Sequence, residues 1–129
     1  MADGSSMPPM LRLRRSSQSG TYTMTAVYAA VYSDSSTQEY IFGGGTIDLS
    51  GMLAADHIDI QIQKRLASGG TWLVVDTLAY DNAQPAGHTQ ALVAGLIDTN
   101  GVRVMARQTA GVLLAITCEW FAAKRLGVV

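Results

Sequence analysis

The sequence predicts an all-β protein, a β-sandwich whose expected topology is a jelly roll, with an extended N-terminal arm. Three observations indicate this class. Short stretches rich in Val, Ile, Thr and Tyr alternate with turn residues at roughly 8–12-residue spacing, which is typical of sandwiches. The stretch Ile58 to Gln63 alternates apolar and polar side chains, as a half-buried strand does. Helical periodicity does not extend over any useful length.

Length and composition limit the function classes. The 129 residues suffice for one domain, and the 48% of hydrophobic residues suffice for a full core. Charged residues make up only 15%, against about 25% in average soluble domains. The net charge of −1 excludes strong electrostatic attraction to nucleic acid or acidic lipid. We therefore expect protein partners, and neither nucleic acid nor membrane.

Targeting signals and cysteine usage indicate where the chain is made. Cys118 is the single cysteine, so an intrachain disulfide is excluded and a reducing cytoplasm is the expected place of synthesis. The first residues contain arginines but lack the apolar segment of a secretory signal. The sequence also lacks the ~20-residue apolar stretch that a spanning helix needs.

The first 20 residues are predicted to form the extended arm, and residues 21–129 the single sandwich domain. Pro8 and Pro9 prevent regular structure there, and small polar residues surround them. A short alternating stretch inside the arm could add to a sheet edge and meet an acidic partner surface through its guanidinium groups. We predict these residues to bind a partner: Leu11, Arg12, Leu13, Arg14 and Arg15.

The first half of the sandwich is predicted to contain three strands. Thr21 to Ser33 is rich in β-branched and aromatic residues, and Gln38 to Phe42 follows after a turn. Gly43-Gly44-Gly45 is expected to end that second strand as a flexible turn, not as a phosphate loop, because no helix with Lys follows it. Thr46 to Leu49 is the third strand, and a helical turn or tight loop is expected up to Asp56.

The second half is predicted to consist of hairpins. The strand at Ile58 turns at Ser68-Gly69-Gly70 and returns as Thr71 to Tyr80, before a polar loop from Asp81 to His88. Thr89 to Ile97 forms the next strand. Asn100-Gly101 is a strong hairpin signal, so Val102 to Gln108 is expected to pair back across it. The last strand runs from Val112 to Phe121.

Reactive groups do not form a motif, so the sequence predicts no catalytic residues, no cofactor, no metal site and no enzyme. His57 and His88 are expected to face solvent, and alternation sends Asp56 and His57 to opposite faces. Cys118 is expected to be a buried, inert thiol. Arg103 and Arg107 are expected only to keep one sheet face hydrated.

The second half resembles a family of small phage structural proteins that are called decoration, cement or head stabilisation proteins. The resemblance is carried by the run Ile58 to Thr71, by Gly101 to Val104 leading into Gln108-Thr109-Ala110-Gly111, by the segment Asp48 to Asp56, and by Glu119-Trp120. It covers about residues 45–121, and the arm is not part of it. It implies a structural virion protein on the capsid exterior of a tailed bacteriophage, where it bridges capsomers and stabilises the shell.

The resemblance implies the major capsid protein as partner, with self-association as a dimer or trimer. Trp72 and Tyr80 join the arm residues as predicted partner-binding residues. The alternative is a head-spike, tail or fibre module that binds a host-surface ligand through Trp72, Tyr80 and the Asp81 to His88 loop. A third possibility, a small enzyme or sugar-binding domain, requires carboxylates or histidines that converge in a cleft.

Overall fold

A computed structural model of the chain describes residues 12–35, 40–98 and 100–124. Ten β-strands form within these ranges, and no α-helix does. The strands are β1 (Arg12–Arg15), β2 (Gly20–Thr23), β3 (Ala29–Asp34), β4 (Tyr40–Asp48), β5 (His57–Arg65), β6 (Trp72–Asp81), β7 (Gln90–Val93), β8 (Leu96–Asp98), β9 (Val102–Ala110) and β10 (Ala115–Lys124).

Two antiparallel sheets form a β-sandwich, which confirms the predicted fold class. In sheet A, β10 lies between β4 and the two short strands β1 and β2, and β7 and β8 flank the other side of β4. Sheet B has the order β3-β9-β5-β6. The chain passes repeatedly from one sheet to the other, so both sheets depend on residues that are distant in the sequence.

The core lies between the two sheets and is centred on an aromatic cluster. Ile58, Ile60 and Ile62 point inward from β5, as their alternation predicts. Trp120 of β10 is fully buried, with its ring centroid 6.0 Å from those of both Tyr32 and Phe42. Its indole Nε1 donates a hydrogen bond of 2.8 Å to the carbonyl oxygen of Val31. Trp120 therefore joins sheet A to strand β3 of sheet B.

The triple glycine does not end a strand, so that prediction was wrong. Strand β4 continues through Gly43, Gly44 and Gly45. A Cβ on Gly45 would lie 1.9 Å from the carbonyl oxygen of Glu119 and 2.7 Å from the Trp120 ring, and Gly44 has a φ of +76°. Gly45 therefore allows β10 to pass close to β4, and Gly44 allows the backbone at Val93 to Gly95 to do so on the other side.

Predicted strand pairing was right for one hairpin and wrong elsewhere. The Ser68-Gly69-Gly70 turn joins β5 to β6, which pair along their lengths. The expected pairing across Asn100-Gly101 does not occur, because β8 pairs with β4 in sheet A whereas β9 pairs with β3 and β5 in sheet B. Likewise the single strand predicted over Thr21 to Ser33 is two strands in different sheets. Turn residues mark a reversal but do not specify which sheet receives the next strand.

Side chains fix two connecting loops. The segment before β5 is a turn in which Asp56 Oδ2 accepts a hydrogen bond from the Leu53 amide. Gln108, only 1% exposed, donates to the carbonyl oxygens of Ala110 and Val112 and accepts from the Leu114 amide. The loop that follows β9 is thus held by a glutamine near the end of that strand, which satisfies backbone groups that a loop would leave unpaired.

Part of the predicted arm belongs to sheet A. Strand β1 pairs with the end of β10, with Arg12 opposite Lys124 and Arg15 opposite Phe121. The Ser16 amide then donates a 2.7 Å hydrogen bond to the carbonyl oxygen of Trp120. The stretch predicted to add to a sheet edge therefore adds to a sheet of its own chain. The division into an arm and a sandwich at residue 20 stays a prediction.

Candidate interaction surfaces

The outer face of sheet B carries polar side chains from its two central strands. On β9, Val102 and Val104 point inward, whereas Arg103 and Arg107 point outward. On β5 the outward residues include Asp59 and Gln63, which lie opposite Arg107 and Arg103 in the strand register. Cross-strand pairs of this kind stabilise a sheet. Two groups of interacting side chains form on this face.

The first group, which we call the Trp72 cluster, consists of Arg65, Trp72 and Arg103. The Arg65 guanidinium carbon lies 4.7 Å from the Trp72 ring centroid, and that of Arg103 lies 4.5 Å from it. Both distances fit cation–π contacts. Arg65 donates to the carbonyl oxygens of Asn100 and Ser35, and Arg103 donates to Gln63 Oε1. Both cations are therefore held in place by neutral oxygens.

Two positive charges at one end of sheet B make that end cationic. Burial lowers the pKa of Arg103, and the nearby charge of Arg65 lowers it further. Lys64 adds a third positive charge beside Arg65. This end of the sheet is therefore suited to a neighbouring carboxylate, because guanidinium groups bind carboxylates through charge-assisted hydrogen bonds.

The second group, the His57 network, consists of His57, Asp59, Asp81, Arg107 and Tyr28. His57 Nδ1 lies 2.5 Å from Asp81 Oδ1, and His57 Nε2 lies 2.7 Å from Asp59 Oδ1. Arg107 donates to Asp59 Oδ2 at 2.9 Å and stacks over the Tyr28 ring at 4.4 Å. The network therefore links the far ends of β5, β6 and β9. The expectation that His57 simply faces solvent was wrong.

Protonation of His57 is favoured by this geometry. The hydrogen bond to Asp81 raises the pKa of His57, and the hydrogen bond to Asp59 raises it further. Burial alone would raise the pKa of Asp59, but hydrogen bonds from Arg107 and His57 lower it overall. Both imidazole nitrogens are occupied by carboxylates, so neither is free to take a proton from a substrate. The network acts as a structural ion-pair cluster.

Metal-ligating side chains of the described ranges do not form a metal site. Among residues 12–35, 40–98 and 100–124, no group of three or more His, Cys, Asp or Glu side chains is arranged to hold a metal ion, and Asp59 and Asp81 contact different nitrogens of the His57 ring. Burial raises the pKa of the Cys118 thiol to about 12, so the thiolate is not available at neutral pH. In that part of the chain, no helix is long and apolar enough to cross a membrane.

Strand β6 forms an exposed apolar edge. It pairs with β5 on one side only, and Leu73, Val74 and Val75 are 46%, 52% and 58% exposed. Below it, a shallow groove of about 140 Å³ runs between the edges of the two sheets. The groove is lined by Ile62, Val75, Asp76, Ala94, Gly95 and Leu96. Strand edges of this length and character are unusual in proteins that remain solitary.

A second apolar surface, the loop end, lies at the end of the sandwich where β5 begins. Contacts hold its loops together: Met24 donates to the Leu114 carbonyl, and Asn82 donates to the Asp56 carbonyl. Large apolar side chains project from three of these loops. They are Val27, Leu53, Val112 and Leu113, and all four are exposed. Single exposed apolar residues are ordinary, but several at one end favour a contact surface.

The predicted partner-binding residues occupy different parts of the molecule. Leu11 lies outside the described residues, and Arg12 and Leu13 belong to β1. Arg14 and Arg15 are exposed, and Arg15 lies 3.7 Å from Glu119. Arg14 and Arg15 lie in sheet A, whereas Trp72 lies in sheet B.

Tyr80 differs from Trp72 although both are on β6. It packs against the core, and burial raises its pKa. Its role in binding stays a prediction. Sequence reasoning missed Arg65 and the apolar residues after Trp72. The run Leu73-Val74-Val75 was visible as an apolar stretch, but only the sheet order shows that it lies on an edge.

Comparisons with known proteins give one distant likeness. No protein-family model matches the chain, and no curated protein matches it. The chain is similar to VP2 in the crystal structure of the infectious bursal disease virus VP2 subviral particle, with 14% identity and a TM-score of 0.44. The match covers 88% of this chain and 32% of the VP2 chain, so the chain spans about a third of that protein's length. A likeness of this size establishes neither a family nor a function.

Proposed function

We propose that this chain is a structural virion protein that decorates and cements the icosahedral capsid of a tailed phage, without enzymatic activity. The observation that carries the proposal is the presence of two separate apolar surfaces, the β6 edge and the loop end, on one sandwich. A protein that bridges capsomers needs at least two contact areas. Repeated display on a symmetric lattice lets individually weak contacts hold the protein in place.

The strand order supports the proposal at the level of the fold. Sheets of order β2-β10-β4-β7 and β3-β9-β5-β6, with a chain that passes between them, are the arrangement we interpret as a jelly roll. Jelly rolls occur in viral capsid proteins and in lectins. Because one fold can serve many functions, the proposal rests on the two apolar surfaces and on the resemblance to decoration proteins.

In this proposal the loop end binds the major capsid protein on the outside of the shell. Val112 is 84% exposed and Leu113 is 48% exposed, and the Gln108 side chain holds their loop in a fixed shape. A fixed loop loses little conformational freedom on binding, which favours affinity. Arg14 and Arg15, exposed on β1, are available for acidic groups on a neighbouring capsomer.

The test is attachment to preformed capsids that lack the protein. We expect the purified chain to bind such shells and to raise the temperature at which they lose their genome. Val112→Lys should abolish binding without unfolding the chain, whereas Leu92→Lys, at a side chain that is 74% exposed on sheet A, should bind as before. Shells whose thermal stability is the same with and without the bound protein would contradict the cementing role.

A deletion tests the role of the part of the arm that precedes β1, which includes Leu11 but not the arginines of β1. Removal of residues 1–11 leaves β1 and its pairing with β10 in place, so the sandwich should keep its unfolding free energy. Reduced occupancy on capsids would support a binding role for the N-terminal residues. Full occupancy after this deletion would reject it.

One observation favours the alternative of host-surface binding. The Trp72 cluster is a partly exposed indole with the guanidinium carbons of Arg65 and Arg103 at 4.7 and 4.5 Å from its ring centroid, and these cations could bind the acidic groups of a sugar. A whole-cell and glycan binding assay with the wild type and Trp72→Ala separates the functions. Trp72-dependent cell binding by isolated protein would support the alternative, and a cement protein should show none.

A further inference from the structure

We propose that β6 is a self-association edge, at which β6 of one copy pairs antiparallel with β6 of a second copy. Sheet B would then continue across a two-fold axis as one eight-stranded sheet. The partner is thus another molecule of this chain, and the contact forms without a capsid. The inference assigns to a second copy the β6 edge that the proposed function counts as one of its two contact areas, and it is tested on the isolated chain.

The first support is that β6 is long and open. It spans Trp72–Asp81 without Lys or Pro, two of the residue types that guard edge strands, and beyond the bulge at Val75 it runs without interruption from Asp76 to Asp81. The Thr77 amide donates a 2.9 Å hydrogen bond to Asp76 Oδ1 of the same strand. A water molecule or an incoming strand can replace that contact at little cost.

The opposite edge of the same sheet is covered. Gln18 Oε1 accepts a hydrogen bond from the Ser33 amide, and Gln18 Nε2 donates one to the Ser33 carbonyl oxygen, both at 2.8 Å. The glutamine amide therefore occupies a position on β3 that a neighbouring strand would use. Because β3 is blocked in this way and β6 is not, sheet B has one edge suited to extension.

The second support is charge complementarity along β6. Its first residue, Trp72, is flanked by Arg65 and Arg103 of the Trp72 cluster. Its last residue is Asp81, whose side chain is 68% exposed and contacts His57. Antiparallel pairing places the cationic start of each strand toward Asp81 of the other and keeps the two cationic starts apart. Parallel pairing would bring like charges together, so charge selects the antiparallel direction.

The third support is the apolar surface that pairing would cover. Val75 is the extra residue at the register shift opposite Ile62 and Gln63, and its side chain lines the groove between the sheets. The bulge divides the edge into a short segment before Val75 and a longer one from Asp76 to Asp81. Strand addition gives main-chain hydrogen bonds, and burial of the exposed valines and leucine adds to them.

The first experiment measures the mass of the isolated full chain in solution as a function of protein and salt concentration. We expect a concentration-dependent dimer that weakens as salt is added, since salt screens the end-to-end charges. Val75→Lys should weaken the dimer by about tenfold or more, which is the effect of about 1.4 kcal/mol. The matched control Leu92→Lys adds the same charge at an exposed leucine on sheet A and should leave the dimer intact.

Two results of this experiment would overturn the inference. One is a monomer at every concentration up to the millimolar range. The other is equal weakening by Val75→Lys and Leu92→Lys, which would place the contact elsewhere. Circular dichroism of each variant verifies that a loss of dimer is not a loss of fold.

A second experiment determines the direction of pairing. Buried Cys118 does not react with thiol reagents at neutral pH, so spin labels can be attached to single cysteines introduced at Thr77 or Leu66. In an antiparallel pair the distance between the two Thr77 labels should be much shorter than that between the two Leu66 labels, at the β5–β6 hairpin. Equal distances at the two positions would indicate parallel pairing and reject the proposed arrangement.

Discussion

The two edge strands of sheet B, β3 and β6, differ in how their unpaired sides are covered. At β3, the Gln18 amide bonds both backbone groups of Ser33, and the Trp120 indole bonds the carbonyl of Val31. At β6, apolar side chains lie exposed, and the strand is held to its own sheet by β5, the Trp72 cluster and the His57 network. One side chain can thus occupy the hydrogen-bonding groups of an edge strand, as Gln18 does on β3, whereas β6 is paired on one side only.

The largest expected effect is at the closed edge. Trp120→Ala removes the ring that packs on Tyr32 and Phe42 and leaves the Val31 carbonyl without its donor. We expect the free energy of unfolding, measured with urea, to fall by about 3–5 kcal/mol. Leu92→Ala at an exposed position should change it by less than about 0.5 kcal/mol. A loss below about 1 kcal/mol for Trp120→Ala would show that this side of the sandwich does not depend on the indole.

A smaller effect is expected when the cover of β3 is removed. Gln18→Ala deprives the Ser33 amide and carbonyl of their partners, but water can reach both groups because the site is exposed. We expect a loss of about 0.5–1.5 kcal/mol in unfolding free energy. Sheet B would then have two open edges, so light scattering should detect larger assemblies than the wild type forms. Absence of such assemblies would argue that Gln18 does not protect the edge.

The attachment of β6 is expected to depend on pH. The folded-state pKa of His57 is raised above its unfolded value, so its stabilising contribution is fully present below about pH 6.5 and is lost as the pH rises through the folded pKa. The pKa of Asp59 is lowered, so its contribution disappears as the pH falls through that value. Partly exposed ion pairs are weak, and we expect a change below about 1 kcal/mol.

Urea unfolding at a series of pH values tests this behaviour. The wild type should lose stability above about pH 6.5, and His57→Gln should show a flatter profile over the same interval. If the wild type and His57→Gln have the same pH dependence, the His57 network does not contribute to holding β6.

The smallest effect on stability is expected at the open edge. Val75 is 58% exposed, so Val75→Lys should change the unfolding free energy of the monomer by no more than about 0.5 kcal/mol. The equivalent change at the closed edge, Val31→Lys, places a charge at a buried position and should prevent folding. Similar stabilities for the two variants, by thermal unfolding, would remove the distinction between the edges.

The sequence revealed strands wherever burial follows local alternation. Ile58, Ile60 and Ile62 lie in the core as their spacing predicts, and the Ser68-Gly69-Gly70 hairpin forms as predicted. The sheet to which each strand belongs could not be predicted in the same way. Asn100-Gly101 is the same turn signal whether the strands before and after it pair with each other or belong to different sheets. The role of Gly44 and Gly45 was misinterpreted because the backbone segments that approach them, at Val93 to Gly95 and at Glu119, are distant in the sequence.

The interaction surfaces were predictable only in part. Trp72 was predicted as a binding residue from its residue type alone. Its contacts with two arginines depend on the strand register, which places Arg65 opposite Trp72 and Arg103 opposite Gln63. The Asp59 contact of His57 follows from two-residue spacing on one strand, whereas Asp81 depends on the hairpin register. No sequence pattern predicted the hydrogen bonds between Gln18 and Ser33, because the packing of β3 places the two residues together.

Strand β10 has a consequence for how the molecule is made. It is the last described strand in the sequence, yet it lies inside sheet A between β4 and the β1 and β2 strands, and it supplies Trp120. A growing polypeptide therefore cannot close its interior until residues 115–124 have left the ribosome. Because most pairings join distant parts of the chain, folding should be slow, and the incomplete chain should depend on chaperones to avoid aggregation.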